Sequence, residues 1–142
     1  MNINKTLITT EEKNTTWYLV DAKNHRLGRL SSKIAYILRN KHRNNYLPHR
    51  SGNLKIIIIN AQKIQITGNK RNKKKYVKHS GRPGGLKIES FSKLHKKIPE
   101  RIIEYSIKGM LPKNSLGKKL FQSVKIYVRD IHPHKNEKLI TI

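Results

Sequence analysis

The chain has no cysteine and few acids: its 142 residues include 8 Asp plus Glu against 32 Lys plus Arg, a formal net charge of +24. Without thiols, disulfides and thiolate metal sites are excluded. No apolar run approaches the roughly 18 residues of a membrane span. Nor is there a lipidation signal, or a long amphipathic helix with a bulky apolar face, so a membrane surface is not the expected partner. The first residues, "MNINKTLITTEEKNTTW", lack the apolar segment of a secretory signal, and they carry Glu11 and Glu12, which transit peptides tend to avoid. The protein is expected to be made where it is used, or to be already trimmed.

The shortage of acids also weighs against catalysis. Metal-assisted phosphoryl transfer needs carboxylates to hold magnesium, and none occurs between Asp21 and Glu89. "TGNKRNKKKY" begins like a phosphate loop, but no Gly-x-x-x-x-Gly-Lys-Ser/Thr exists and "GRPGG" is not Gly-x-Gly-x-x-Gly. Pro83 removes a backbone donor where a phosphate cradle would use one. Histidines 49, 79, 132 and 134 suggest a metal, yet Pro133 implies an extended "HPH" and no carboxylate or cysteine completes a site. Ser80 follows His79, but adjacency in sequence does not aim a base at a nucleophile. No enzyme, cofactor, metal or small-molecule substrate is expected.

What is present is cation, in every segment. A surface of +24 would repel itself and bind polyanions indiscriminately unless many phosphates neutralise it. "RNKHRNNYLPHR" (39–50) and "KRNKKKYVKHSGR" (70–82) interleave cations with Tyr46, Tyr76 and histidines, rings that can stack on unpaired bases. In "KKKYVKHSGRPGGLK" (73–87), glycines among cations suggest backbone approaching phosphate. Apolar residues are scarce between Asn69 and Gly85 and the lysines repel one another, so this loop is expected to be mobile until RNA orders it.

The length suits one domain. Residues 1–16 read as an N-terminal arm, 17–131 as an α/β RNA-binding domain with a basic loop at 68–88, and 132–142 as a C-terminal tail. "WYLVDA" (17–22) predicts a buried strand. In "LGRLSSKIAYILRNK", Leu27, Leu30, Ile34, Ile37 and Leu38 recur at helical spacing, with Arg29, Lys33 and Lys41 mostly off that stripe. The four isoleucines of "LKIIIIN" (54–60) predict a strand covered on both faces, as in a parallel sheet. "IQIT" (64–67) predicts a second short strand, and "SFSKLHKKI" (90–98) is ambiguous. "PERIIEYSIKGML" predicts a helix with a stripe of Ile103, Ile107, Met110 and Leu111. "LGKKLFQSV" (116–124) predicts another helix, and the alternation of "VKIYVRD" a half-buried strand. The order of elements implies a three-layer α/β domain with a small, mainly parallel central sheet, plus the basic loop and terminal extensions.

Four ordered blocks then carry a resemblance: "WYLVDAKNHRLGRLSSKIAYILRNKH", "IIIINAQKIQITGNKRNKKKYVKHSGRPGGLK", "IKGMLPKNSLGKKL" and "VKIYVRDIHPH". From Trp17 to about His134 the chain resembles the family of ribosomal protein thirteen of the bacterial-type large subunit. It departs at Gly52-Asn53, where the family usually has Gly-Asp, and at Lys118, usually arginine, which keeps the charge without bidentate geometry. Arg129 replaces a usual glycine, and "NEKLITI" lacks the family's glutamine and proline.

The resemblance implies a non-catalytic protein that binds large-subunit rRNA of the 23S type early in assembly, beside neighbouring large-subunit proteins. An RNA-binding regulator outside the ribosome is the alternative. It implies RNA-facing motifs at "TGNK", "HSGRPGG", "GMLPKN" and "HPH". The candidate RNA-binding residues are Arg26, Arg29, Lys41, His42, Arg43, His49 and Arg50 in the first half of the chain. The basic loop adds Lys70, Lys73, Lys74, Lys75, His79, Arg82, Gly84, Gly85 and Lys87. Lys108, Lys113, Lys118, His132 and His134 complete the set. Lys, Asn and Ile, which have A/T-rich codons, are abundant. With the bacterial-type pattern this points to ribosomes of a plastid stroma, or alternatively of a bacterial cytoplasm.

Overall fold

The apolar run around Trp17 forms β1 (Thr16–Asp21) in a computed structural model that describes residues 15–44 and 46–142. Most of the segment read as an N-terminal arm therefore lies outside the described residues, and Thr16 already belongs to the sheet. Helix α1 (Leu27–Leu38) follows and buries all five residues of its expected stripe. It ends at Asn40, whose left-handed backbone (φ 62) lets its N–H reach the Ile37 carbonyl at 2.8 Å. Strand β2 (Leu54–Ile59) then runs parallel to β1 in the register Val20↔Ile58.

The expectation for the isoleucine run holds: Ile56, Ile57 and Ile58 are each 0% exposed, so both faces of β2 are covered. Ile56 and Ile58 join Val20 in a core with α1 and with α3 (Phe91–Lys97), α4 (Glu100–Met110) and α5 (Ser115–Gln122). Burying each such side chain stabilises the fold by about 1.5–3 kcal/mol. By strand alternation Ile57 lies on the opposite face with Trp17, whose ring packs 5.0 Å from that of His134.

Strand β5 (Val124–Ile126) pairs with β2, and β6 (Leu139–Thr141) pairs with β1. The sheet order is β5-β2-β1-β6, with every pairing parallel. This is an α/β domain of the expected three-layer kind. The tail differs from its expectation, because residues 139–141 supply an edge strand of the central sheet. The alternating run "VKIYVRD" also yields a shorter strand. After Ile126 the chain wraps over a 3-10 turn (Ala61–Lys63), where the Ala61 and Asn60 N–H groups donate to the carbonyls of Tyr127 (3.1 Å) and Arg129 (3.0 Å).

Three further expectations are corrected. "IQIT" forms no strand but a single bridge from Gln65 to Arg26. Asn60 turns the chain out of the sheet with φ 58, and both edges of β2 are already paired. Met110 leaves the apolar stripe of α4 at 43% exposure, its core place taken by Ile102, which is 0% exposed. Finally, the basic loop at 68–88 is regular structure: one turn, α2 (Lys70–Lys73), and an antiparallel hairpin of β3 (Lys75–His79) and β4 (Leu86–Ser90). The apolar residues that anchor it lie at its base. Tyr76 packs on Tyr105 (5.4 Å between ring centroids) and Phe91 (6.5 Å).

A candidate nucleic-acid interface

Near the carboxyl ends of β1 and β2, Arg26, Lys70 and Lys74 line one cleft with Gly28, Thr67 and Met110. Two backbone hydrogen bonds build it: Leu27 N–H donates to Gln65 O and Gln65 N–H to His25 O, each at 3.0 Å. They fasten "TGNK" against the start of α1, and Gly68 (φ 64) makes the turn a side chain would oppose. Arg29 is exposed on α1 outside this cleft. Gly28 sits in the first turn of α1 with nothing within 4 Å of where a Cβ would be.

A second cleft, of about 410 Å3, lies between α4 and α5 and brings Lys108, Lys113 and Lys118 around Pro112, Gly117 and Phe121. Two glycines of this region differ in kind. Gly117 is buried, and a Cβ there would collide with the Pro112 carbonyl oxygen. Its N–H also donates to Asn114 Oδ1 at 2.9 Å, the cap of α5. Gly109 is exposed near the end of α4 and a Cβ would meet nothing within 4 Å. The fold requires glycine at 117 and does not require it at 109.

On the hairpin, Lys75, His79, Arg82 and Lys87 are exposed, as are Lys73 and Lys74 of the preceding turn. His79 Nδ1 accepts from Gly81 N–H at 2.9 Å, which fixes the proton on Nε2 and leaves that donor free to point away from the turn. Gly81 (φ 87) and Gly84 (φ 72) are left-handed. At Gly85 a Cβ would strike Ser80 Oγ and stand 2.9 Å from the Arg82 carbonyl oxygen. The glycines at the tip thus have a turn to serve as well as any ligand. Tyr76 is corrected as a stacking platform: it is half-buried, and burial first, then Tyr105, holds its hydroxyl pKa above the ordinary 10.0.

The segment 39–50 disperses its candidates. His42 meets the Tyr18 ring edge-on at 6.2 Å, and Arg43 donates to Thr16 Oγ1 at 3.3 Å. Tyr46 accepts from Arg39 at 3.2 Å, while Lys41 and His49 are exposed. Arg50 lines a third cleft together with Lys55 and Lys119. Sequence reasoning missed those two lysines. Lys55 interrupts the apolar run of β2, and that was the one available signal.

His132 and His134 are turned inward rather than outward. His134 Nε2 lies 3.0 Å from Tyr127 Oη, and His132 packs its ring 6.3 Å from that of Tyr127. His132 Nδ1 is buried with no hydrogen-bond partner among the described residues. Among those residues no group of three or more His, Cys, Asp or Glu stands close enough to hold a metal ion, and no helix is long and apolar enough to cross a membrane. No carboxylate lines any of the three cationic clefts. Such uncompensated cations, spread over both ends of the sheet, suit an extended polyanion better than one small ligand.

A family model described as Ribosomal protein L13 matches residues 15–133. Similar curated proteins carry the name large ribosomal subunit protein uL13. That of Microchaete diplosiphon is 56% identical over 122 residues, covering 86% of this chain and 81% of the relative. That of Trichormus variabilis is 54% identical over the same length, with the same coverage. The relative from Rippkaea orientalis is 48% identical over 141 residues, covering 99% and 93%.

Proposed function

The chain belongs to the ribosomal protein L13 family, and from that premise we propose that it is a structural, non-catalytic constituent of the large ribosomal subunit that grips large-subunit rRNA and supports early assembly. The observation that carries the RNA-binding part is the pair of helix glycines, Gly28 and Gly109. Neither is needed for packing, since a Cβ at either would meet nothing within 4 Å. Glycine in a helix sacrifices stability relative to alanine. Each stands beside cations, Gly28 with Arg26, Lys70 and Lys74, and Gly109 next to Lys108. Clearance for a sugar-phosphate backbone accounts for both.

The phosphate contacts are assigned to the exposed cations of the first two clefts and the hairpin, with Arg29, Lys41 and His49 on the periphery. His132 and His134 act indirectly, by holding Tyr127 and Trp17 around the strand edge. Cyanobacterial relatives support the plastid stroma as the compartment. The test is co-sedimentation of the tagged protein with large subunits through a high-salt cushion. Retention supports a subunit constituent bound to rRNA. Release at salt that leaves other subunit proteins in place supports a loosely bound regulator instead.

A further inference from the structure

The third cleft, of about 300 Å3, opens at the amino-terminal end of β2, between the end of α1, the 50–53 loop and α5. Its volume is at the lower end of the range for small-ligand sites. Arg50, Lys55 and Lys119 line it with Ser51 and Ser123, and no acid does. Lys55 is already positioned, with its Nζ 4.5 Å from the centre of the Trp17 ring, a contact that leaves its charge unneutralised.

Asn40 also lines this cleft, and its Oδ1 is buried with no hydrogen-bond partner among the described residues. A Cβ at Gly52 would come within 3.0 Å of Asn40 Cγ, so glycine in the loop makes room for the amide. The ligand must therefore satisfy two demands at once. Converging cations call for an anion. A buried carbonyl oxygen calls for an N–H donor, which a bare phosphate lacks. Nucleobase edges carry such donors, and base pairing occupies them in a duplex.

We infer that this cleft seats one unpaired nucleotide of an RNA strand, its phosphate against Arg50, Lys55 and Lys119 and its base donating a hydrogen bond to Asn40 Oδ1. This rests on the RNA-binding function proposed above and adds a site outside the motifs of the family resemblance. Free mononucleotides offer the same chemistry, so the test carries an arm for each source.

The probes are a mixed-sequence single-stranded RNA octamer, the same octamer with abasic riboses, a duplex of that sequence and cytidine monophosphate. The proteins are the full chain and its Lys119→Ala and Asn40→Gly variants. Glycine keeps the left-handed backbone of residue 40 and removes the carbonyl. Loss of one phosphate contact at Lys119 should weaken octamer binding about fivefold at about 0.1 M salt and lower the salt slope by about 0.7. Duplex binding should change less. Asn40→Gly should abolish the preference of the parent chain for the octamer over its abasic form. If the parent binds RNA and both variants match it on every probe, the cleft assignment is overturned while the RNA-binding function stands. If the parent binds no RNA, both fall. If cytidine monophosphate shifts the Asn40 side-chain amide resonances and the octamer does not, the ligand is a free nucleotide and the assignment to RNA is wrong.

Discussion

Replacing Gly28 or Gly109 with alanine should move stability and RNA affinity in opposite directions. Both positions are helical and open, so a methyl group adds no clash. Alanine in a helix interior is favoured over glycine by about 0.5–1 kcal/mol. Gly28 lies in the first turn of α1 and Gly109 in the last turn of α4, so the lower figure applies. For a chain of this size about 0.5 kcal/mol raises the melting temperature by about 2 °C. If RNA backbone uses the clearance, the added methyl displaces one phosphate from its neighbouring cation. At about 0.1 M salt that lost contact weakens binding about fivefold, the slope of about 0.7 taken over one decade. Differential scanning calorimetry on the free protein and filter binding to an rRNA fragment measure the two effects separately. A higher melting temperature with unchanged affinity at both positions would refute the clearance argument. A lower melting temperature would mean the fold uses these glycines after all.

Gly117→Ala should do the reverse of Gly109→Ala. Its methyl group meets backbone at Pro112, and overpacking of this kind costs about 1–3 kcal/mol, which calorimetry should register as a clear fall in melting temperature. A neutral result would mean that the α4–α5 junction yields easily. His95 supplies a pH test. Its pKa lies below the ordinary 6.5 because of burial first and Arg71 second, partly offset by a hydrogen bond to the Gln62 backbone. The unfolded chain therefore takes up this proton at higher pH than the native one, and stability falls as pH drops from above 6.5 toward the native pKa. The melting temperature of His95→Gln should fall less over that interval than that of the parent. Parallel curves would show that His95 contributes nothing to the pH dependence.

How far the sequence revealed this depended on whether a feature was local. The stripe of α1 and the isoleucines of β2 were legible because burial imposes a period on the sequence, and both elements are central. The hairpin was not, because Val77, Leu86 and Ile88 remain exposed across it and create no apolar face to detect. Strand β6 was hidden for a related reason: it has three residues and lies at an edge, paired only to β1. Among candidate residues, lysines close in sequence such as Lys108, Lys113 and Lys118 did converge on one cleft. Lys55 and Lys119 were missed because only the fold brings β2 and α5 to the same place. The histidines of "HPH" were misjudged for want of a partner: nothing in a one-dimensional chain announces that Trp17 and Tyr127 will receive them.

The central claim is that many separate cations of this chain meet RNA phosphates. Its most direct test is the affinity of the full chain for a large-subunit rRNA fragment across a salt series. With the clefts and hairpin each engaged, at least six contacts should form, and log affinity should fall linearly with log salt at a slope of about −4 or steeper. A slope near −1, or affinity indifferent to salt, would contradict the account.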